Sequence, residues 1–375
     1  MLGRTWRIGR IAGVEIRIDS SWVLIALLIT YSLYVRFTEA FPDLEVALGV
    51  ALGVGFGLLF FASVLAHEMA HAVVARARRI PVRGITLFMF GGATHAKVES
   101  RGPWDEFLIS VVGPVSSVVL GGAFFLFGTL GRGLLGPPVS GGFRYMAFVN
   151  VALAVFNLLP GFPLDGGRVL RSLLWRIFGS LPRATRVAGA VGQAVGYLMI
   201  GAGIFSVITV GLVSGIWLAF IGWFVAQAAR ASVRQLEVQQ LLRTVEVRDV
   251  MDPDLVPVPP WLTVRQAVEG YFTRSVRSVF PVQEDGETRG LLTLSAVKRL
   301  PKRHWDTRRV EEVMEPLGEQ SIVEASDRMD GVVERLQEGG ATRCLVMRDG
   351  RVVGILTAGD ITRWLQREMR RPANR

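Results

Sequence analysis

Apolar residues are unevenly distributed along the 375 positions. They form long uninterrupted runs up to about position 230 and short alternating or amphipathic stretches beyond it. A helix needs about 20 predominantly apolar residues to cross the hydrocarbon core of a bilayer. Six runs fit that rule, at approximately 21–37, 46–72, 106–130, 146–159, 187–207 and 210–228. The fourth is short, and no charge between 187 and 229 marks where the fifth ends and the sixth begins. In the second run Gly49, Gly53 and Gly57 recur at the spacing that lets membrane helices approach closely. Between the second and third runs the period changes from helical to two. Ile85, Leu87 and Met89 alternate, Gly91-Gly92 makes a turn and Thr94-His95-Ala96 follows, which predicts a small β-hairpin within 80–98. Such a hairpin could offer its edge to an extended peptide by strand addition.

Beyond Ala229 the composition becomes charged and mixed, and 230–246 has the pattern of an amphipathic connecting helix. Two similar blocks of about sixty residues follow. The first opens on Val247-Arg248-Asp249-Val250-Met251, continues through a helix, a strand and a Glu284-Asp285-Gly286 turn, and closes on Gly290-Leu291-Leu292-Thr293. The second opens on Val310-Glu311-Glu312-Val313-Met314 and closes on Gly354-Ile355-Leu356-Thr357-Ala358-Gly359-Asp360. The predicted division is therefore a membrane region at 1–229, a linker helix at 230–246 and two repeats at 247–302 and 303–375.

Composition changes this picture little, but charge refines it. Half of the residues are hydrophobic and mean hydropathy is +0.39, in keeping with a membrane region followed by a water-exposed one. The net charge of +10 could suggest nucleic acid, yet the arginines cluster in alternate connections between the apolar runs. Arg4, Arg7, Arg10 and Arg17 precede the first run, Arg76 to Arg101 lie between the second and third, and Arg168, Arg171, Arg176, Arg183 and Arg186 follow the fourth. We read this as topology and expect no nucleic-acid partner, with both chain ends cytoplasmic. The lone cysteine, Cys344, excludes an intramolecular disulfide and suits a reducing compartment. No cleavable signal peptide is recognisable in the first twenty residues, so the first run is expected to target the chain itself, into a prokaryotic plasma membrane.

Candidate chemistry enters at the end of the second run. His67-Glu68-Met69-Ala70-His71 puts two imidazoles one turn apart on the same helix face, where both can reach one metal ion, with a glutamate between them to act on a water. None of the three could stay unpaired cheaply in a membrane helix. A catalytic zinc needs one more protein ligand, commonly a carboxylate. Asp165 is the best candidate: it ends Asn157-Leu158-Leu159-Pro160-Gly161-Phe162-Pro163-Leu164-Asp165-Gly166-Gly167, where two prolines and three glycines favour an unwound path, on the same side as the histidines. His95, in a strand, lacks helical ligand spacing and is read as interfacial or near the metal.

These residues carry a resemblance. The HExxH segment, the match of Asn157 to Gly167 to N-x-x-P-x-x-P-L-D-G-G, and Gly113-Pro114 in the third run are similar to the site-2 protease family of intramembrane zinc metalloproteases. The resemblance covers roughly 10–230 and implies zinc held by His67, His71 and Asp165, Glu68 as general base, and Asn157 holding substrate or stabilising the oxyanion. It also implies single-span membrane proteins as substrates. The repeats resemble a tandem pair of CBS domains, which often bind adenine nucleotides. In that family Thr357 and Asp360 would contact ribose and phosphate, whereas the first repeat has Ala296 where the aspartate would stand. ATP, ADP or AMP binding, or homodimerisation through this pair, are the implied roles. The fold class expected is thus a polytopic α-helical membrane domain with a small β-hairpin, joined to a cytoplasmic α/β tandem CBS module.

Two rival readings give different outcomes. A transporter or channel gated by its CBS pair would need charges lining a path, and the last two runs have none. A metal-stabilised scaffold would keep its function in Glu68→Ala.

Overall fold

The computed structural model describes residues 5–89, 91–96, 100–275, 277–316, 322–339, 343–349 and 351–370. The chain divides into two compact units, one up to Leu236 and the other from Glu237 onward.

The first unit opens on a hairpin of β1 (Thr5–Ile11) and β2 (Val14–Asp19), turning through Ala12 and Gly13 at positive φ. The alternation of Val14, Ile16 and Ile18 with Glu15 and Arg17 encodes β2. Asp19 then caps α1 (Ser20–Ala40): its Oδ1 accepts from the Ser21 amide at 2.9 Å and from the Ser21 hydroxyl at 2.6 Å. Next come α2 (Val46–Ala77), the predicted hairpin β3 (Val82–Phe88) and β4 (Gly91–Ala96), α3 (Pro103–Leu130), α4 (Arg132–Asn157), α5 (Asp165–Phe178), α6 (Leu181–Thr209) and α7 (Leu212–Thr244).

Among the described residues six helices are long and apolar enough to cross a membrane: α1, α2, α3, α4, α6 and α7. The expected spans are all present, with two differences in extent. The fourth starts earlier, because Arg132–Asn157 runs on across a kink at Gly136 followed by Pro137 and Pro138. Residues 230–244 form no separate linker helix but continue α7. At Gly53 the α1 and α2 backbones are close enough that an added Cβ would lie 3.1 Å from the Thr30 carbonyl oxygen.

The four strands form one sheet in the order β1-β2-β3-β4, with β2 and β3 parallel and the other pairs antiparallel. Ile85 and Leu87 of β3 bury their side chains with Val14 against Val64 and Ala72 of α2, so the hairpin is anchored beside the HExxH helix. β4 is an edge strand.

The second unit comprises α8 (Val264–Ala267), β5 (Val279–Glu284), β6 (Glu287–Thr293), α9 (Leu294–Arg299), β7 (Glu315–Pro316), β8 (Ile322–Glu324), α10 (Met329–Gly339), β9 (Arg343–Arg348), β10 (Arg351–Thr357) and α11 (Ala358–Arg370). They build two three-stranded sheets, β5-β6-β7 and β10-β9-β8. The first hairpin turns through Asp285 and Gly286, both at positive φ. In the second, Asp349 is at positive φ and Gly350 lies outside the described residues.

The repeats exchange their leading segments. Val247 and Val250 are buried with Val323, Met329 and Leu356 of the second repeat, while Val310 is buried with Val264, Phe280 and Leu292 of the first. Backbone bonds follow the same exchange: Val247 donates to Asp327 O at 2.9 Å and Val310 to Leu262 O at 2.9 Å. Val279, Leu291, Leu345 and Ile355 then join the two sheets.

Candidate metal centre

The site lies where α2, α3 and the first turn of α5 meet. His67 and His71 are 4% and 5% exposed, one turn apart on α2. Their Nε2 atoms lie 3.2 Å from each other and 3.1 and 3.2 Å, respectively, from Oδ2 of Asp165. Among the described residues this is the one cluster of three potential metal ligands.

The protons on the two rings explain why these atoms need something between them. His71 Nδ1 is 2.5 Å from the Ile109 carbonyl oxygen, which can only accept, so Nδ1 carries the hydrogen and Nε2 presents a lone pair. His67 Nδ1 contacts Ser117 Oγ at 2.9 Å, which orients its ring; with the hydroxyl accepting, His67 Nε2 likewise presents a lone pair. With both rings neutral and hydrogen-bearing at Nδ1, two imidazole lone pairs and a carboxylate oxygen face one another in a buried site. Acceptors in that arrangement repel unless a cation lies among them. Tetrahedral zinc with bonds near 2.0–2.1 Å would separate its ligand atoms by roughly 3.3 Å, close to the spacing present. The residues fit a zinc ion.

Glycines clear the space. An added Cβ on Gly113 of α3 would be 2.7 Å from His67 Nε2 and closer still to His71 Nε2, so this part of α3 must be free of side chain. Gly167 plays the corresponding part below Asp165, where a Cβ would meet the backbone of Gly161 and Phe162 as the loop folds back on α5. The loop of Leu158 to Leu164 is irregular, as the two prolines predict, and Asp165 becomes the first residue of α5.

Glu68 is half-buried and faces the hairpin. A Cβ on Gly92 of β4 would lie 2.7 Å from the Glu68 carboxyl carbon and 3.0 Å from Oε1, so the β4 backbone passes directly over this carboxylate. Asn157 ends α4, half-buried, and its side chain forms no hydrogen bond among the described residues. His95 pairs with Gly84 across the hairpin, and its side chain lies outside the described residues.

The structure thus brings together His67, His71 and Asp165, with Glu68 adjacent. Ser117, the Ile109 carbonyl and Gly92 were missed from the sequence. A serine in an apolar helix four residues past Gly113 was a signal for the first; the other two act through backbone and leave none.

In the second unit Thr357 and Asp360 line a cleft of about 1480 Å³. Asp360 Oδ2 accepts from the Thr357 amide at 2.9 Å and hydroxyl at 2.6 Å, and Arg363 pairs with Oδ1. In the first repeat Thr293 likewise accepts from the Ala296 amide, at 3.0 Å, but turns its hydroxyl to Glu315.

Comparison with known proteins agrees with both halves. The profile described as Peptidase family M50 matches residues 55–139 and 134–202, and the CBS domain profile matches 247–302 and 310–367. Rip3 of Mycobacterium tuberculosis, provisionally named a zinc metalloprotease, is 34% identical over 359 residues, 95% of this chain and 91% of that protein. The sll0528 protein of Synechocystis sp., provisionally named likewise, is 33% identical over 365 residues, 96% of this chain and 95% of its own length. Among solved structures, the site-2 protease from Methanocaldococcus jannaschii aligns with TM-score 0.43 at 22% identity, covering 61% of this chain and 95% of its own.

Proposed function

Because this chain belongs to Peptidase family M50, the site-2 protease family of metalloproteases, we propose that it is an intramembrane zinc endopeptidase cutting transmembrane segments of single-span proteins. The observation that carries the reading is the meeting of two imidazole nitrogens and a carboxylate oxygen at 3.1–3.2 Å where α2 and the first turn of α5 come together. His67, His71 and Asp165 would hold the zinc. Bound there, it would supply Lewis acidity, polarising the scissile carbonyl and making the attacking water acidic near neutrality.

The remaining steps belong to the protein. Glu68, one residue from His67, takes the proton of the attacking water and returns it to the leaving amine. Asn157 holds the substrate or donates to the developing oxyanion, as the family motif implies. The outer edge of β4 offers ladder positions to an extended peptide, and Gly92 leaves no side chain between that peptide and Glu68. A helical substrate must unwind before its carbonyls can be attacked, so helix-breaking residues near the scissile bond favour cleavage.

The CBS pair is the regulatory part of the reading. Its cleft is lined by Arg274, Arg277, Lys298, Arg343 and Arg363 against Asp252, Asp254 and Asp360, five cations to three carboxylates, which suits a phosphate-bearing ligand such as ATP, ADP or AMP. Homodimerisation through the pair is the other route by which it would act. The arginine-rich connections support a reading in which this module and both chain ends face the cytoplasm, and the membrane is taken to be a prokaryotic plasma membrane.

The test is cleavage of a tagged single-span peptide by the purified full-length protein in liposomes. Wild type should cut it. Glu68→Ala and Asp165→Ala should lose at least about a hundredfold in rate, and a chelator should abolish a cleavage that zinc restores. Retained cleavage in Glu68→Ala would overturn the reading.

A further inference from the structure

A buried ion pair outside the ligand set ties the carrier of Asp165 to the helix that orients both histidines. α3 meets His71 through the Ile109 carbonyl and His67 through the Ser117 hydroxyl. One turn before Ile109 on the same helix, Glu106 is fully buried. Its Oε1 accepts from Arg171 Nε at 2.7 Å and from Arg171 Nη2, with Arg168 Nε 3.9 Å away, while Oε2 has no hydrogen-bond partner among the described residues. Both arginines belong to α5, which begins at Asp165. The Arg171 guanidinium also lies over the Phe162 ring, 5.2 Å from its centroid, and Phe162 is buried in the loop three residues before Asp165.

Such a pair is a poor device for stability alone. Desolvating a carboxylate and a guanidinium costs several kcal/mol per ion, the cost is no smaller in a membrane helix, and one carboxylate oxygen here is uncompensated. What a planar guanidinium fork does give is direction. Arg171 touches α3 on one side and the Asp165 loop on the other, so it sets both the register of α5 and the seat of Phe162.

We propose that Glu106 and Arg171 are positioning residues of the metal centre, their ion pair and the stack on Phe162 holding Asp165 at coordinating distance from both histidines. This rests on the zinc reading above.

The experiment uses full-length protein in detergent. Zinc affinity is measured by competition with a chromophoric chelator, and the Co2+-substituted protein is followed through its d–d absorption. Glu106→Gln and Arg171→Gln should each weaken zinc about 10–100-fold, the range for removing a group that orients a ligand, and should alter the cobalt spectrum. The double variant should lose no more than the worse single one. Arg171→Lys, which keeps the charge but not the fork, should recover only part of the loss. Because a lone buried charge could unfold the protein, Glu106→Met/Arg171→Met supplies a neutral pair that packs. It should melt near wild type yet bind zinc about tenfold or more weakly. Zinc affinity within about twofold of wild type and an unchanged cobalt spectrum in that double variant would leave the pair a purely structural feature and overturn the proposal. His67→Ala serves as the no-site control: wild type binding zinc no better than this variant would refute the zinc reading and this inference together.

Discussion

At the candidate metal centre two imidazole nitrogens and a carboxylate oxygen meet at 3.1–3.2 Å, whereas the Asp360 carboxylate in the C-terminal unit is surrounded by donors from its own chain. Both places carry a recognisable sequence motif. They differ in what the motif leaves unsatisfied. The first gathers two imidazole nitrogens and a carboxylate oxygen at one buried point, the spacing of a metal's ligand sphere rather than of a helix cap, so its residues are informative about a bound cation. The second is complete as a helix cap, with Thr357 before the first turn of α11 and Asp360 within it, so its residues would be present whether or not a ligand binds.

The largest expected effect breaks the first side of this contrast. Gly113→Ala puts a methyl group against both Nε2 atoms and should lower zinc affinity by at least about a hundredfold, measured as metal content after equilibrium dialysis. Gly122→Ala lies on the same helix with nothing within 4 Å of the added Cβ, and should bind zinc as wild type does. Equal zinc in the two variants would mean that the ion is held somewhere other than between the two histidines and α3.

How far each region could be read in advance follows the same line. Six spans, the β3–β4 hairpin and the repeat are legible because burial in lipid or in a sheet imposes a period, and the meeting of His67, His71 and Asp165 is legible because few residue types can serve as metal ligands. The β1–β2 hairpin was written in alternation too, but Arg7, Arg10 and Arg17 drew attention to charge. Arg171 is by sequence one more arginine of a charged connection, yet it pairs with Glu106 inside the protein. The exchange of Val247 and Val310 between repeats was not legible: similar segments satisfy similar pockets, and sequence similarity does not say whose. Nor were the Ile109 carbonyl and Gly92, since backbone oxygen and empty space have no residue signature.

A smaller effect sharpens the second side. If Asp360 is first a cap, Asp360→Ala should cost about 1–2 kcal/mol in the C-terminal unit with no nucleotide present, read from denaturant unfolding. AMP or ATP should raise the unfolding midpoint of wild type if the cleft binds it, and by less in the variant. A variant as stable as wild type that has lost nucleotide binding would reverse the assignment and make ligand contact the main work of this carboxylate.

Cys344 provides the finest measure of that cap, because it pairs directly with Leu356, the residue before Thr357. The thiol is fully buried, and burial pushes its pKa up to about 12. A free thiol titrates near 8.5, so at pH 8 the thiolate fraction in the folded protein is roughly three orders of magnitude below that of an exposed cysteine, before steric exclusion is counted. Iodoacetamide should therefore label Cys344 only when β9 and β10 part or the unit unfolds. Losing the cap should raise the population of that open form about 5–30-fold for the 1–2 kcal/mol estimated above, and the labelling rate of Asp360→Ala should rise by the same factor while Gly113→Ala labels as slowly as wild type. Equal rates in wild type and Asp360→Ala would mean that the hydrogen bonds between Thr357 and Asp360 do not hold the end of β10 and that this motif is not a structural cap.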